Sequence, residues 1–337
     1  MQDRVEIPLS ASALDLYLKC RVIADANTIP EHLSLFVKQS EQVLDQVRTM
    51  VANRELPTER GTEFQQLLID ICVRVMCHPI VASNNYLKRF AQGVTKEQAA
   101  HELKQFSVFA LQFDIAQAKL VANAPTEDAY HERLNVLLNE KGIPYRDGFE
   151  GELTGKWSPD TVHFTWLLKT AEGLDLNFED LGKIWIGLSG TKAFVSATFE
   201  NYASVDQNTA LGASFGIENW AANYLWTPWI AGMKKYNETA DKKVHLGYLT
   251  YHESEEKHHS QATLDELLEN FLEPWFDAEK FFQGAENVLS DGVQKYYESQ
   301  LETIPGKEGG NWPTSATDPR TLDPAAVPRL AISTLAT

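Results

Sequence analysis

The run Tyr251-His252-Glu253-Ser254-Glu255-Glu256-Lys257-His258-His259 sets a histidine, a carboxylate and a second histidine at i, i+4 and i+7. On an α-helix, steps of four and three residues turn through about 400° and 300°, so His252, Glu256 and His259 share one face within about two turns. Three metal-competent side chains then point the same way. Glu255 with His258 is the alternative pair, rotated by about 100°; Glu256 with His259 is preferred because it completes the face that His252 begins. A solvated helix face in an acidic protein produces the same letters, so the triplet gains meaning when other helices bring ligands to it.

Two further residues qualify. Glu140 follows an apolar run in Leu137-Leu138-Asn139-Glu140-Lys141-Gly142, and His163 stands between Val162 and Phe164 near Trp166 and Leu167. Mixed carboxylate and imidazole ligation suits iron or manganese, and a helical bundle collects such ligands from facing helices. Two carboxylates and three histidines hold one metal fully or two sparsely. Cys20, Cys72 and Cys77 lie outside the set, which argues against a zinc–thiolate site.

Apolar residues recur at helical spacing almost everywhere, with no strong alternating run, so the fold class is all-α. The spacing predicts helices over Leu33 to Val51 and Glu63 to Met76, the latter closed by Cys77-His78-Pro79. Further helices are expected from Asn84 to Gly93, from Glu97 to Ala122, from Glu127 to Lys141, and from Ser158-Pro159-Asp160 to Gly173, where the serine reads as N-cap and the proline as first residue. Phe178 to Leu188, Lys192 to Ala203 and the aromatic-rich Phe215 to Tyr236 follow. The opening triplet sits on Lys243 to about Thr263, and a last helix runs from Leu264 to Leu301. The polar, glycine-rich Ile143 to Trp157 reads as a lid or surface excursion. Residues 1–61 read as an N-terminal helical extension, 62–305 as the bundle, and 306–337 as a Pro/Gly-rich extended or disordered tail.

With 47 acidic against 30 basic residues in 337, the formal charge is −17. That balance argues against nucleic acid or an anionic membrane as partner and favours a small-molecule substrate; a homodimer is compatible with it. Three cysteines are too few for a disulfide framework, and the first residues lack an apolar signal-peptide core, so a cytoplasmic location is expected.

The order of these elements resembles the haem-oxygenase-like diiron oxidase and oxygenase family, also described as iron-containing redox enzymes. Glu140 in Asn-Glu-Lys-Gly resembles that family's second-helix carboxylate, and His163 in His-Phe-Thr-Trp-Leu-Leu its third-helix histidine. His252, Glu256 and His259 resemble its late His-x3-Asp/Glu-x2-His triplet, and His78-Pro79 with Tyr86-Leu87-Lys88-Arg89-Phe90 and Gly93 its entry into the first core helix. The likeness spans about 62 to 303. It implies a bundle of about seven core helices, two irons bound without haem, manganese as a substitute, and O2 as co-substrate. The reactions it implies are oxidations of an amine, amino acid or fatty acid. The chain departs from the pattern at the first core helix, where Gln112 stands for the expected glutamate and would weaken the second metal position; Glu102, Asp114 or Glu218 would compensate if they face the site.

Phe109, Phe113, Glu218, Trp220 and Tyr224, with Phe106, Trp226 and Trp229, are the residues expected to wall a substrate pocket. Two other readings stand beside the oxygenase. One is a metal-independent member of the same fold similar to pyrroloquinoline-quinone synthase or thiaminase II, favoured by Gln112. The other is a non-catalytic helical interaction protein whose site has decayed. True haem oxygenase is disfavoured because Pro79 directly follows His78.

Overall fold

The computed structural model describes residues 7–143 and 159–303, and among these there are helices and no strand, the all-α class expected from the periodicity. In chain order the α-helices are α1 (Ala13–Lys19), α2 (Glu31–Ala52), α3 (Thr58–Ile71), α4 (Pro79–Ala82), α5 (Asn85–Ala91), α6 (Lys96–Ala122) and α7 (Glu127–Glu140). They continue as α8 (His163–Glu172), α9 (Ser189–Ala197), α10 (Gln207–Trp220), α11 (Trp226–Thr239), α12 (Gly247–Leu272), α13 (Ala278–Asn287) and α14 (Lys295–Thr303). Wider π-turns follow α3, α9, α10 and α13.

Local chemistry marks the ends. Thr95 and Gln98 close a reciprocal capping box at the start of α6. Thr126 accepts the Ala129 N–H at the start of α7, where Glu127 and Asp128 complement the helix dipole. Two departures from the periodicity stand out: Phe178 to Leu188, expected as a helix, holds only the 3-10 turns Phe178–Asp180 and Ile184–Ile186, and α12 runs unbroken past Thr263 to Leu272. Nothing between 263 and 264 breaks a helix; the stop comes at Glu273, held extended (ψ 143°) by the following Pro274. The segment expected as one helix to Leu301 is α13, a π-turn and α14.

One continuous core joins the elements: Leu16, Tyr17, Phe36 and Val43 from α1 and α2 are fully buried in the same cluster as Leu103, Phe215 and Leu264. The expected boundary at 61/62 falls inside α3. α2 also braces the helix of the histidine triplet, since the Gln39 amide nitrogen donates to Lys257 O and Ser260 Oγ, both at 2.9 Å. Across the bundle α10 presses on α13 backbone to backbone: a Cβ on Gly212 would lie 1.8 Å from Phe281 O, and one on Gly284 2.1 Å from Thr209 O. Only glycine permits that approach; α10 packs on α12 as well.

Among the described residues no single helix is long and apolar enough to cross a membrane. The bent pair Thr58–Met76 and Pro79–Ala91, angled at 70°, passes such a test jointly, and its apolar side chains Phe64, Leu68, Ile80 and Leu87 are fully buried in the core. The residues of the expected lid from 144 to 157 and of the tail lie outside the described residues.

Candidate metal centre

Two donor sets line up along α12. The first, Glu140, His163 and His252, joins the end of α7, the start of α8 and the first turns of α12, with one ligand atom from each within 4.8 Å of the others. Gly142, at φ +84°, turns the chain out of α7; a Cβ there would lie 2.6 Å from the backbone of Thr161 and Val162. Thr161 Oγ1 donates to Gly142 O at 2.6 Å. The end of α7 is thus seated on the short 3-10 turn Pro159–Thr161 that precedes α8. His163 is the first residue of α8, not one turn into it as the serine–proline start suggests. These contacts bring His163 Nδ1 to 2.8 Å from Glu140 Oε2, with His252 Nε2 at 3.9 Å from Glu140 Oε1. His252 Nδ1 is 2.8 Å from Tyr248 O. A carbonyl only accepts, so that nitrogen carries the proton and Nε2 keeps a free lone pair facing Glu140.

Electrostatics leave Glu140 and His252 in ligating form. Burial pushes the Glu140 carboxyl up, but the imidazoles of His163, His252 and His259 outweigh it and hold it down at about 2. Burial, reinforced by the neighbouring His163 and His259 and opposed by Glu140, lowers His252 to about 4. An ionised carboxylate and a neutral imidazole are the protonation states metal binding requires.

The second set is Glu218 from α10 with Glu256 and His259 from α12. His259 Nδ1 lies 3.5 Å from a carboxylate oxygen of each glutamate. Glu256 is 7 % exposed, and burial and then Glu218 raise its carboxyl to about 8. Burial opposes protonation of His259, yet the two carboxylates outweigh it and raise its pKa well above the ordinary value. Glu256 Oε2, the oxygen that His259 Nδ1 faces at 3.5 Å, is buried and makes no closer hydrogen bond. A buried carboxylate oxygen held only by so long a contact is costly, and a cation among these three residues would satisfy it.

The donor chemistry fits iron. Glu140, His163 and His252 have the two-histidine, one-carboxylate composition of non-haem ferrous sites. Glu256 and His259 form a Glu-x-x-His pair, the unit by which bundles hold paired iron or manganese, and Glu218 adds a carboxylate from a facing helix. Bound there, such ions would replace the proton that His259 holds between two acids.

Glu140, His163, His252, Glu218 and Glu256 all line one inner cavity of about 70 Å³. Its walls include Phe106, Phe109, Phe113, Phe164, Trp220, Trp226 and Tyr248. Of the residues expected at the site, Gln112 is not among those lining it. Position 112 lies about 200° round α6 from Ala110, which does line the cavity with Phe113 and Asp114. Glu102 faces a separate buried cluster, accepting from Tyr86, Tyr296 and Gln300. Tyr224 is half-buried and lines none of the described cavities. Trp229 packs behind Phe106, ring centroids 4.8 Å apart. Glu255 and His258 line an outer groove that reaches Glu218 and His259. Phe164 and Tyr248 are additions; Tyr248 was findable, since it precedes His252 by one helical turn.

Compared with known proteins, the chain matches no family model and no curated protein sequence, so the two donor sets are read here on their own geometry and chemistry.

Proposed function

We propose that the chain is a non-haem diiron oxidoreductase that activates O2 and oxidises a small amine, built on a helical bundle of the haem-oxygenase-like kind. The observation that carries this reading is the pair of Glu/His donor sets on adjacent turns of α12, five of whose six residues line one aromatic cavity. Iron bound by Glu140, His163 and His252, and by Glu218, Glu256 and His259, would supply the electrons for reduction of O2. The chain's own residues supply orientation and exclusion. Phe106, Phe109, Phe113 and Trp226 keep water from the cavity. Asp114, paired with Lys141, ties α6 to the end of α7 and so steadies Glu140. Tyr248, whose hydroxyl is raised well above its ordinary value by burial and then by Glu140, keeps its proton at Oη beside the reacting space.

The outer groove favours an ammonium over a carboxylate. It has a volume of about 860 Å³ and carries Glu132, Glu255, Asp265, Glu266 and Glu269, none of them in either donor set. Arg133, the one Lys or Arg lining it, is 3.3 Å from Glu266 and so already engaged. Burial and then neighbouring acids raise the carboxyls of Glu132 and Glu269, as expected where negative potential accumulates. Such a groove concentrates cations and repels anions.

Anaerobic ferrous titration tests the metal, and O2 uptake tests the substrate class. We expect about two irons per chain, in keeping with two donor sets in one bundle. We expect 2-phenylethylamine to accelerate O2 uptake where its anionic counterpart 3-phenylpropionate does not. Iron binding below about one per chain after loading, with His252→Ala no worse than the native protein, would remove the reading.

A further inference from the structure

Cys72 and Cys77, outside the donor sets, flank a π-turn (Cys72–Met76) that continues α3. On an α-helix, residues five apart lie about 140° from one another. Here the Cys77 N–H donates to Cys72 O at 2.9 Å, an i+5 closure that stacks the two residues one above the other. Their thiols adjoin each other, and His32 at the start of α2 lies beside Cys77. Cys72 is fully buried while Cys77 is half-buried, so one sulfur is reachable and the other waits behind it. The His32 Nε2 atom is itself buried without a hydrogen-bond partner.

We infer that Cys72 and Cys77 form a peroxide-reactive dithiol, with Cys77 as the attacking sulfur, His32 as its proton partner and Cys72 as the resolving thiol. The Cys77 thiolate attacks one oxygen of hydrogen peroxide; an S–O bond forms, the O–O bond breaks, and the departing hydroxide takes the His32 proton to leave as water. The Cys72 sulfur then attacks Cys77; an S–S bond forms, the S–O bond breaks, and the second water leaves with the Cys72 proton. Two thiols are oxidised to a disulfide and one peroxide is reduced to two waters. The polarity of the pair follows its surroundings. The adjoining Cys72 thiol lowers Cys77 to about 6 against the opposing effect of burial, with His32 adding to the lowering. Burial, then Cys77 and Cys20, raise Cys72 well above the ordinary thiol. A thiolate at neutral pH is the reactive form of cysteine.

The test uses the whole native chain. Arg74 lies between the two cysteines, so trypsin separates Gly61–Arg74 from Val75–Lys88 unless a disulfide joins them. After brief treatment with hydrogen peroxide and blocking of free thiols, a non-reducing map should contain the joined pair, lost on reduction, while Cys20 remains alkylated. In Cys72→Ser, dimedone should trap a sulfenic acid at Cys77. In His32→Gln, the pH midpoint for iodoacetamide alkylation of Cys77 should move upward. Oxidation of Cys20 ahead of Cys77, over-oxidation of Cys77 with no joined peptide, or no reaction at either cysteine would overturn the inference. The joined peptide needs no variant, so misfolding of Cys72→Ser would leave the test intact.

Discussion

Replacing Glu256 by glutamine sets the demands of folding against those of metal binding. In the metal-free protein burial and Glu218 raise this carboxyl from 4.5 to about 8, so the folded chain binds the proton more tightly than the unfolded chain. Stability from this group is therefore highest below the unfolded value and falls as pH rises toward the folded one. At pH 7.5 the folded side chain is mostly neutral and the unfolded one ionised. The gap of about three pH units is worth roughly 3–4 kcal/mol. Glutamine has nearly the same shape and is neutral in both states, so it escapes that cost. Metal-free Glu256→Gln should thus be the more stable protein at pH 7.5, by roughly 3–4 kcal/mol, and close to the native chain near pH 4.5. Ferrous ion should reverse the order, because a neutral amide gives up the charge that holds the metal, and ligand binding stabilises only the form that binds. Urea unfolding followed by far-UV circular dichroism, run anaerobically with and without Fe(II), measures both. A metal-free variant less stable than the native protein at pH 7.5, or equal stabilisation of the two by Fe(II), would refute the reasoning.

Gly142→Ala should open the first donor set. Its φ of +84° and a Cβ 2.6 Å from Thr161 and Val162 cost about 1–2 kcal/mol for the left-handed residue alone. The clash should push the start of α8 from the end of α7, so bound iron should drop from about two to about one per chain; retention of both would count against the placement of His163. Glu102 offers a pH test away from the metal. Burial, opposed by Tyr86 and Tyr296, raises its carboxyl from 4.5 to about 7. It should therefore subtract about 3 kcal/mol from stability between pH 4.5 and 7 and little more above. Glu102→Gln, made in the Glu256→Gln background to remove the other contribution, should flatten that slope in urea titrations; parallel profiles would exclude it.

The fold was legible where the chain carries local punctuation. Thr95, Thr126, Gly93 and Gly142 stand where the helix ends fall because each meets a backbone need that neighbours cannot alter: a spare N–H, or a positive φ (124° at Gly93). The π-turns left no comparable trace. Ala221–Leu225 and Val288–Gln294 keep an apolar period close to that of an α-helix, and their wider closure follows from packing. The expected break near Thr263 had no breaker behind it, whereas Pro274 was the residue able to stop α12.

At the site, periodicity put His252, Glu256 and His259 on one face but could not divide them. The division comes from which helices meet α12 at each level: α7 and α8 beside His252, α10 beside Glu256 and His259. Gln112 was chosen by element order alone, and its helical phase turns it from the cavity. Glu218 had a stronger signal than the resemblance gave it, for it is the only charged residue between Asp206 and Lys234. A lone acid inside so apolar a segment must either reach water or meet positive charge. Its side chain is 12 % exposed, and the group it meets is His259, which already faces Glu256 at the same 3.5 Å. Two ionised carboxylates against one imidazolium would be a charge out of balance, so Glu256 keeps its proton up to about pH 8, and a divalent cation in place of the protons on Glu256 and His259 would balance the pair. That imbalance, written into α10 by a single glutamate, is the strongest support in the chain for a second metal where Gln112 offers none.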